Sequence, residues 1–224
     1  MIDKTIIFAE VKRLRGGRAF TQAEVSSLDQ AIDRALGMGP PPVILTRRAA
    51  LEIICHEAIV QEAYKDSKGI WTWSVGLTNA AGINVLAYKD NPQSLEVCLA
   101  AYINRLKTAY LPAVLEAFHD YPLQEHELTA ALSFHYNTGA IKSASWVQSV
   151  RHGHIEQAKV EMMNWRKPAS IIERREKERD LFFDGHWCND GLSLVYPVRK
   201  PSYTPDWGRA KKVDVRPIIE QLIL

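Results

Sequence analysis

The sequence predicts a mainly α fold of the α+β class, with one small antiparallel β-hairpin region. Three observations carry this. Apolar residues recur at helical spacing through most of the chain up to about residue 183. One segment, 62–78, breaks that spacing with a tight turn, DSKG, and then an alternating run, IWTWSVGLT. From Asp184 onward the helical pattern fails and prolines accumulate.

Residues 3–36 read as two short helices. The first spans about Lys4 to Leu14, with Ile7, Phe8, Val11 and Leu14 on one face, and Arg15-Gly16-Gly17 ends it. Thr21 is a suitable N-cap for the second, with Glu24 completing a capping box and Val25, Leu28, Ile32 and Leu36 forming the apolar stripe. GMGPPPV, residues 37–43, stiffens and breaks the chain. This sets out a small helical N-terminal module at 1–40, a larger domain at 41–190 and an extended C-terminal tail at 191–224. Thr46 can cap a helix running to about Gln61, and residues 62–78 follow as strands with a turn. Ser94 opens a long helix through Phe118, kinked at Pro112. Helical patterns recur at 125–136, 143–152, 154–165 and 170–183. Pro197, Pro201, Pro205 and Pro217 make the tail an extended strap over the domain surface, with a last short helix near 217–223. Its six basic residues between Arg199 and Arg216, against Asp206 and Asp214, also fit contact with an anionic surface.

A chain of 224 residues holds one large domain, or one domain with a small appendage. Its 46% hydrophobic and 24% charged residues suit a globular protein, and a formal charge of +2 gives no bulk attraction to nucleic acid. Cys55, Cys98 and Cys188 are widely spaced and fit neither a zinc pattern nor a disulfide framework, so three reduced thiols are expected. His152 and His154 flank Gly153 without an acidic partner at ligand spacing, and no metal is expected. No segment is apolar enough for a membrane span, and MIDKTIIFAEVKRLRGG is not a signal peptide.

The chemistry concentrates at 57–72. In the helix expected over 46–61, Leu51, Ile54, Cys55 and Ala58 lie on one face, with Ile53 and Val60 nearly opposite. A helix apolar on both sides is buried on both sides. Glu57 then stands among apolar walls, where desolvation favours the protonated form that a general acid needs. If Ser67-Lys68-Gly69 is a three-residue loop with Gly69 left-handed, Asp66 pairs with Ile70 and Tyr64 faces Thr72. Asp66 and Thr72 become diagonal neighbours roughly 7–8 Å apart. An acid, an ionised carboxylate and a hydroxyl able to hold a water meet the needs of glycoside hydrolysis. The same residues also read as a solvated helix end, a turn former and a strand former.

The string E-x8-D-x5-T, with Glu57, Ala63-Tyr64-Lys65-Asp66, Gly69, Thr72, Gly76 and Thr78 in place, resembles the active-site segment of phage endolysins of the glycoside hydrolase family 24 type. ALSFHYNTGA, 131–140, resembles the cleft-lining helix and turn of that family, and ERREKERDLFFDG, 173–185, its C-terminal Arg-Arg-x-x-Glu helix. The resemblance covers roughly 46–187 and implies a two-lobed lysozyme-like domain, with Glu57 as general acid, Asp66 as base or charge stabiliser, and Thr72 orienting the water. Tyr64, Tyr136, Asn137, Gly139 and Arg174 become candidates for substrate contact, Arg174 equally for an ion pair with Glu178 at i+4. The implied activity is a muramidase cutting peptidoglycan between N-acetylmuramic acid and N-acetylglucosamine during host lysis, with no cofactor, no metal and no nucleic acid, acting as a monomer. A lytic transglycosylase and an inactive wall-binding protein are the alternatives. Without a signal peptide, such an enzyme is made in the host cytoplasm and reaches the periplasm through a holin-type pore. The sequence departs from the family's Thr-x-Gly-x-Gly-His in carrying Ser74 and Leu77 in place of the first Gly and the His, which puts the hairpin packing in question.

Overall fold

The computed structural model describes residues 4–20, 24–25, 28–29, 32 and 44–223. The chain folds as two units, Met1–Ile44 and Leu45–Leu224. In the first, helix α1 spans Thr5–Leu14. Phe8 meets Phe20 edge-on at 5.6 Å, and Lys4 pairs with Asp29 at 2.8 Å. Glu24, Val25, Leu28, Asp29 and Ile32 are helical. The expected Thr21 cap, Leu36 and the GMGPPPV breaker lie outside the described residues.

In the second unit, the Thr46 hydroxyl accepts from the Ala49 amide at 3.0 Å and starts helix α2, Arg47–Ile54. Apolar periodicity predicts this helix to Gln61; it ends seven residues earlier, and Glu57 belongs to the link that follows it. Strand β1, Ala58–Lys65, begins at once. Its β-branched Ile59 and Val60 favour a pleated strand, and both are fully buried. Strand β1 also has partners on both edges: β2, Trp71–Ser74, runs antiparallel to it, and β4, Leu192–Val195, runs parallel. Backbone pairing with a segment so distant in sequence overrides the helical periodicity, which is local.

The complete sheet has the order β3-β2-β1-β4-β7, with β3 at Leu77–Thr78 and β7 at Lys211–Asp214. The tail expected as a surface strap therefore supplies two strands of the main sheet. Between them, β5, Val198–Arg199, and β6, Thr204–Pro205, form a small separate ribbon. A helix at Arg216–Leu222 closes the described chain.

The remainder is helical. Ser94 caps α3, Leu95–Arg105, by accepting from the Val97 amide. A π-helical turn, Leu106–Tyr110, joins it to α4, Leu111–Ala117. Pro112 explains the irregularity, because it lacks the N–H that the carbonyl one turn back would receive. Helices α5, Glu125–Thr138, α6, Ser145–Arg151, α7, Ile155–Met162, and α8, Ile172–Asp184, follow. Their core centres on Trp146, which packs against Phe134 at 5.2 Å and Phe182 at 5.1 Å. No helix among the described residues is long and apolar enough to cross a membrane.

Candidate active site

Glu57 sits where α2 gives way to β1. Its amide donates to the Ile54 carbonyl at 3.0 Å, which fixes the link as a turn. The carboxylate reaches helix α8, where Arg174 Nη1 donates to Glu57 Oε1 at 2.6 Å. Arg174 is committed on three sides: Nε donates to Glu178 Oε1 at 2.9 Å, and Nη2 to the Ser133 carbonyl at 3.1 Å and its hydroxyl at 3.3 Å. Glu178, 1% exposed, also accepts from the Ser133 hydroxyl at 2.6 Å and from Arg175 Nη1. Two guanidiniums and two carboxylates thus balance in charge beneath the site. Burial alone would push the Arg174 pKa down; the charges of Glu57 and Glu178 outweigh it and hold it above the ordinary arginine value. Burial is the largest influence on Arg175 and lowers its pKa.

Asp66 stands at the hairpin tip. The loop has the expected form: the Asp66 amide donates to the Ile70 carbonyl at 3.0 Å, and Gly69 holds φ +76°, which glycine adopts without strain. Asp66 Oδ1 accepts from the Lys68 and Ile70 amides at 2.8 and 2.9 Å. Both bonds use Oδ1, so Oδ2 has no hydrogen-bond partner among the described residues. Tyr64 faces Thr72 across the ladder. The Thr72 hydroxyl is buried and donates to the Ile70 carbonyl at 3.1 Å, which leaves its lone pairs as acceptors.

Tyr64 is buried and feels the charge of both carboxylates. Its hydroxyl pKa is raised first by burial and then by the charges of Glu57 and Asp66. Glu57 acts in the same way on Tyr102, Tyr110 and Tyr136, each raised chiefly by burial. The Tyr136 hydroxyl donates to the Val75 carbonyl, tying the helical part to the hairpin.

The structure therefore groups Glu57, Tyr64, Asp66, Thr72, Tyr136 and Arg174. Asn137 and Gly139 have structural contacts of their own. Asn137 Oδ1 accepts from Arg175 Nη2 at 2.7 Å, and Gly139 ends α5 in a left-handed cap with φ +69°. Of the hairpin tryptophans, Trp73 is 1% exposed and stacks on Tyr88 at 3.7 Å, while Trp71 is half-buried against Tyr203. Sequence reasoning missed Ser133 and the partnership of Arg175 with Glu178. The 174/175/178 spacing carried a signal for the second, since both arginines fall one turn from Glu178; Ser133 carried none. The departure at Ser74 is also explained. Ser74 has φ +59°, the backbone region that glycine occupies freely, and its buried hydroxyl donates to the Cys98 carbonyl at 2.8 Å. Leu77, at the family's histidine position, is buried and pairs with Trp73.

A helical body joined to a small sheet, with one carboxylate where the two meet and another on a hairpin, is the lysozyme-like fold. The family model for phage lysozyme matches residues 55–178, and the chain belongs to that family. The endolysin of Bacillus phage B103 is 34% identical over 87 residues, covering 36% of this chain and 33% of its own length, so the chain spans about a third of that curated relative. Among solved structures, the endolysin of Escherichia coli O157:H7 phage FAHEc1 superposes with a TM-score of 0.53 at 20% identity, over 66% of this chain and 98% of that one. The muramidase domain of SpmX from Asticaccaulis excentricus superposes with a TM-score of 0.51 at 24% identity, over 62% and 97%. At these identities the superpositions establish the shared fold.

Proposed function

We propose that this protein is an endolysin that hydrolyses the β-1,4 bond between N-acetylmuramic acid and N-acetylglucosamine in bacterial peptidoglycan. The observation that carries the reading is a carboxylate held by an arginine where the helices meet the sheet, with a second carboxylate at the tip of the hairpin whose register sets Tyr64 opposite Thr72. In the reacting complex Glu57 carries a proton on Oε2, the oxygen that Arg174 does not hold, and gives it to the leaving glycosidic oxygen; the Arg174 guanidinium then balances the carboxylate charge left behind. An attacking water has two protons to place. One goes to Asp66 Oδ2, and the other is donated as a hydrogen bond to Thr72 Oγ1, whose own proton is already given to Ile70. The water oxygen then adds to the anomeric carbon, with inversion if it enters from the Asp66 side. Tyr64 and Tyr136 shape the apolar floor beside Glu57. The enzyme works as a monomer without cofactor, is made in the host cytoplasm, and reaches the wall after a holin-type pore opens.

The test is mass spectrometry of muropeptides released from purified Gram-negative peptidoglycan by the wild type and by Glu57→Gln. The expected products carry hydrated reducing-end muramic acid, and the variant should lose about 10²–10⁴-fold in rate, the usual worth of a general acid. A 1,6-anhydro product would make the chain a transglycosylase and remove the roles of Asp66 and Thr72. Release by neither protein would leave a wall-binding role.

A further inference from the structure

Four donors that the proposed hydrolysis does not use converge beside Glu57. Glu52 lies in helix α2, Cys55 and His56 in the turn after it, and Cys188 in the segment that follows helix α8. One ligand atom from each lies within 4.8 Å of every other. The two sulfurs are 4.0 Å apart. In a tetrahedral site with zinc–sulfur bonds of about 2.3 Å, two thiolates sit about 3.8 Å apart.

Glu52 gives the second, independent sign. It is 2% exposed, yet it forms no salt bridge with any cation among the described residues. Its oxygens take the Cys188 amide at 3.1 and 3.3 Å, the Asn189 amide at 3.1 Å and the Cys188 thiol at 2.9 Å. A carboxylate this buried ordinarily has a cation to balance it. Thiolate, imidazole and carboxylate together select a borderline-soft divalent ion rather than magnesium or calcium. Spacing rules could not find the group, since Cys188 stands 132 residues beyond His56 and outside the matched stretch 55–178.

We propose that Glu52, Cys55, His56 and Cys188 form a closed structural site for a zinc-type divalent cation. On binding, Cys55 and Cys188 each release a proton to solvent as their metal–sulfur bonds form, with no change of oxidation state. The ion joins the turn that leads into Glu57 to the segment that ends the Arg174 helix, so it braces both halves of the Glu57–Arg174 pair from behind. With four protein ligands it leaves no open position and takes no part in glycoside cleavage.

The test is a cobalt(II) titration of the full-length protein after reduction, chelator treatment and oxygen-free desalting. The expected result is one equivalent bound, with a thiolate-to-cobalt charge-transfer band, intensified tetrahedral d–d bands, and displacement of both by zinc. Cys188→Ala alters an exposed side chain, and its fold is checked by circular dichroism; His56→Ala is the second ligand variant. Each should weaken binding at least about 100-fold, since even an outer-shell partner is worth about 10–100-fold. Cys98→Ala should bind as the wild type does. Zinc at a free concentration about 100-fold above its Kd should raise Tm by about 5–10 °C in the wild type and not in Cys188→Ala. The proposal is overturned if the wild type gives no thiolate–cobalt band, or if the band persists in Cys188→Ala. It is equally overturned if the protein isolated without reductant holds a Cys55–Cys188 disulfide and takes up no metal once reduced.

Discussion

Replacing Arg174 by methionine isolates what the guanidinium does, because methionine keeps most of the volume and removes all four hydrogen bonds. Arg174 is 11% exposed and Glu57 19%, so solvent screens the pair little. Removing one partner of a buried ion pair costs about 3–5 kcal/mol. Two features reduce that here. Glu178 keeps Arg175 and the Ser133 hydroxyl, so its charge stays balanced. Glu57, at the rim, regains part of its hydration. A loss of about 2–3 kcal/mol is the outcome, which for a unit of this size is a fall in Tm of about 4–12 °C. Turnover should fall about 100-fold even where the variant is fully folded, because Glu57 loses the contact that orients its carboxyl. Arg174→Lys should restore part of the stability and little of the turnover: an ammonium is a point charge and cannot hold Glu57, Glu178 and Ser133 in one planar fork. The assays are thermal unfolding by circular dichroism and release of reducing ends from peptidoglycan, well below either Tm. A Tm within about 1 °C of wild type, with unchanged turnover, would refute the account of Arg174 as the holder of Glu57.

Two further outcomes follow from the same structure. Ser74→Gly should leave stability within about 1 kcal/mol of wild type, because relief of the left-handed backbone offsets the lost bond to Cys98. Ser74→Val should cost about 3 kcal/mol or more, since a β-branched residue tolerates that backbone poorly; equal chemical denaturation midpoints for the two variants would contradict this. His135 has a buried Nδ1 without a hydrogen-bond partner among the described residues, and burial, then the charge of Lys142, holds its pKa below the ordinary 6.5. The unfolded chain therefore takes up a proton before the folded one does. The stability tied to His135 is present above about pH 6.5 and is lost as pH falls through the lower folded value. Urea unfolding at pH 7.5 and at pH 5 should show a smaller acid loss in His135→Phe than in the wild type.

Some of this was legible in the residues. The DSKG turn names its own geometry: glycine at the left-handed position sets the loop length, and loop length sets the register that puts Tyr64 opposite Thr72. Thr46 and Ser94 announce their helix starts through cap chemistry that needs only three neighbouring residues. The setting of Glu57 was not legible. Its neighbours satisfy a helical period, but the structure puts it in a turn after a shorter helix and gives its carboxyl an arginine contact from helix α8. The period misled because the competing partner of β1 is a strand that begins 127 residues after Lys65.

Local signals, which act within one turn or one hairpin, were enough for the caps, the turns, most helices and the motif that marks the family. Tertiary structure alone decided the rest, because each feature joins groups that no local rule connects. It drew the tail into the sheet, placed Arg174 and Glu178 beneath Glu57, gave Asn137 to Arg175, and brought Cys188 to Cys55. In each case, burying a charge or an unpaired backbone edge forced a partner to come from far along the chain.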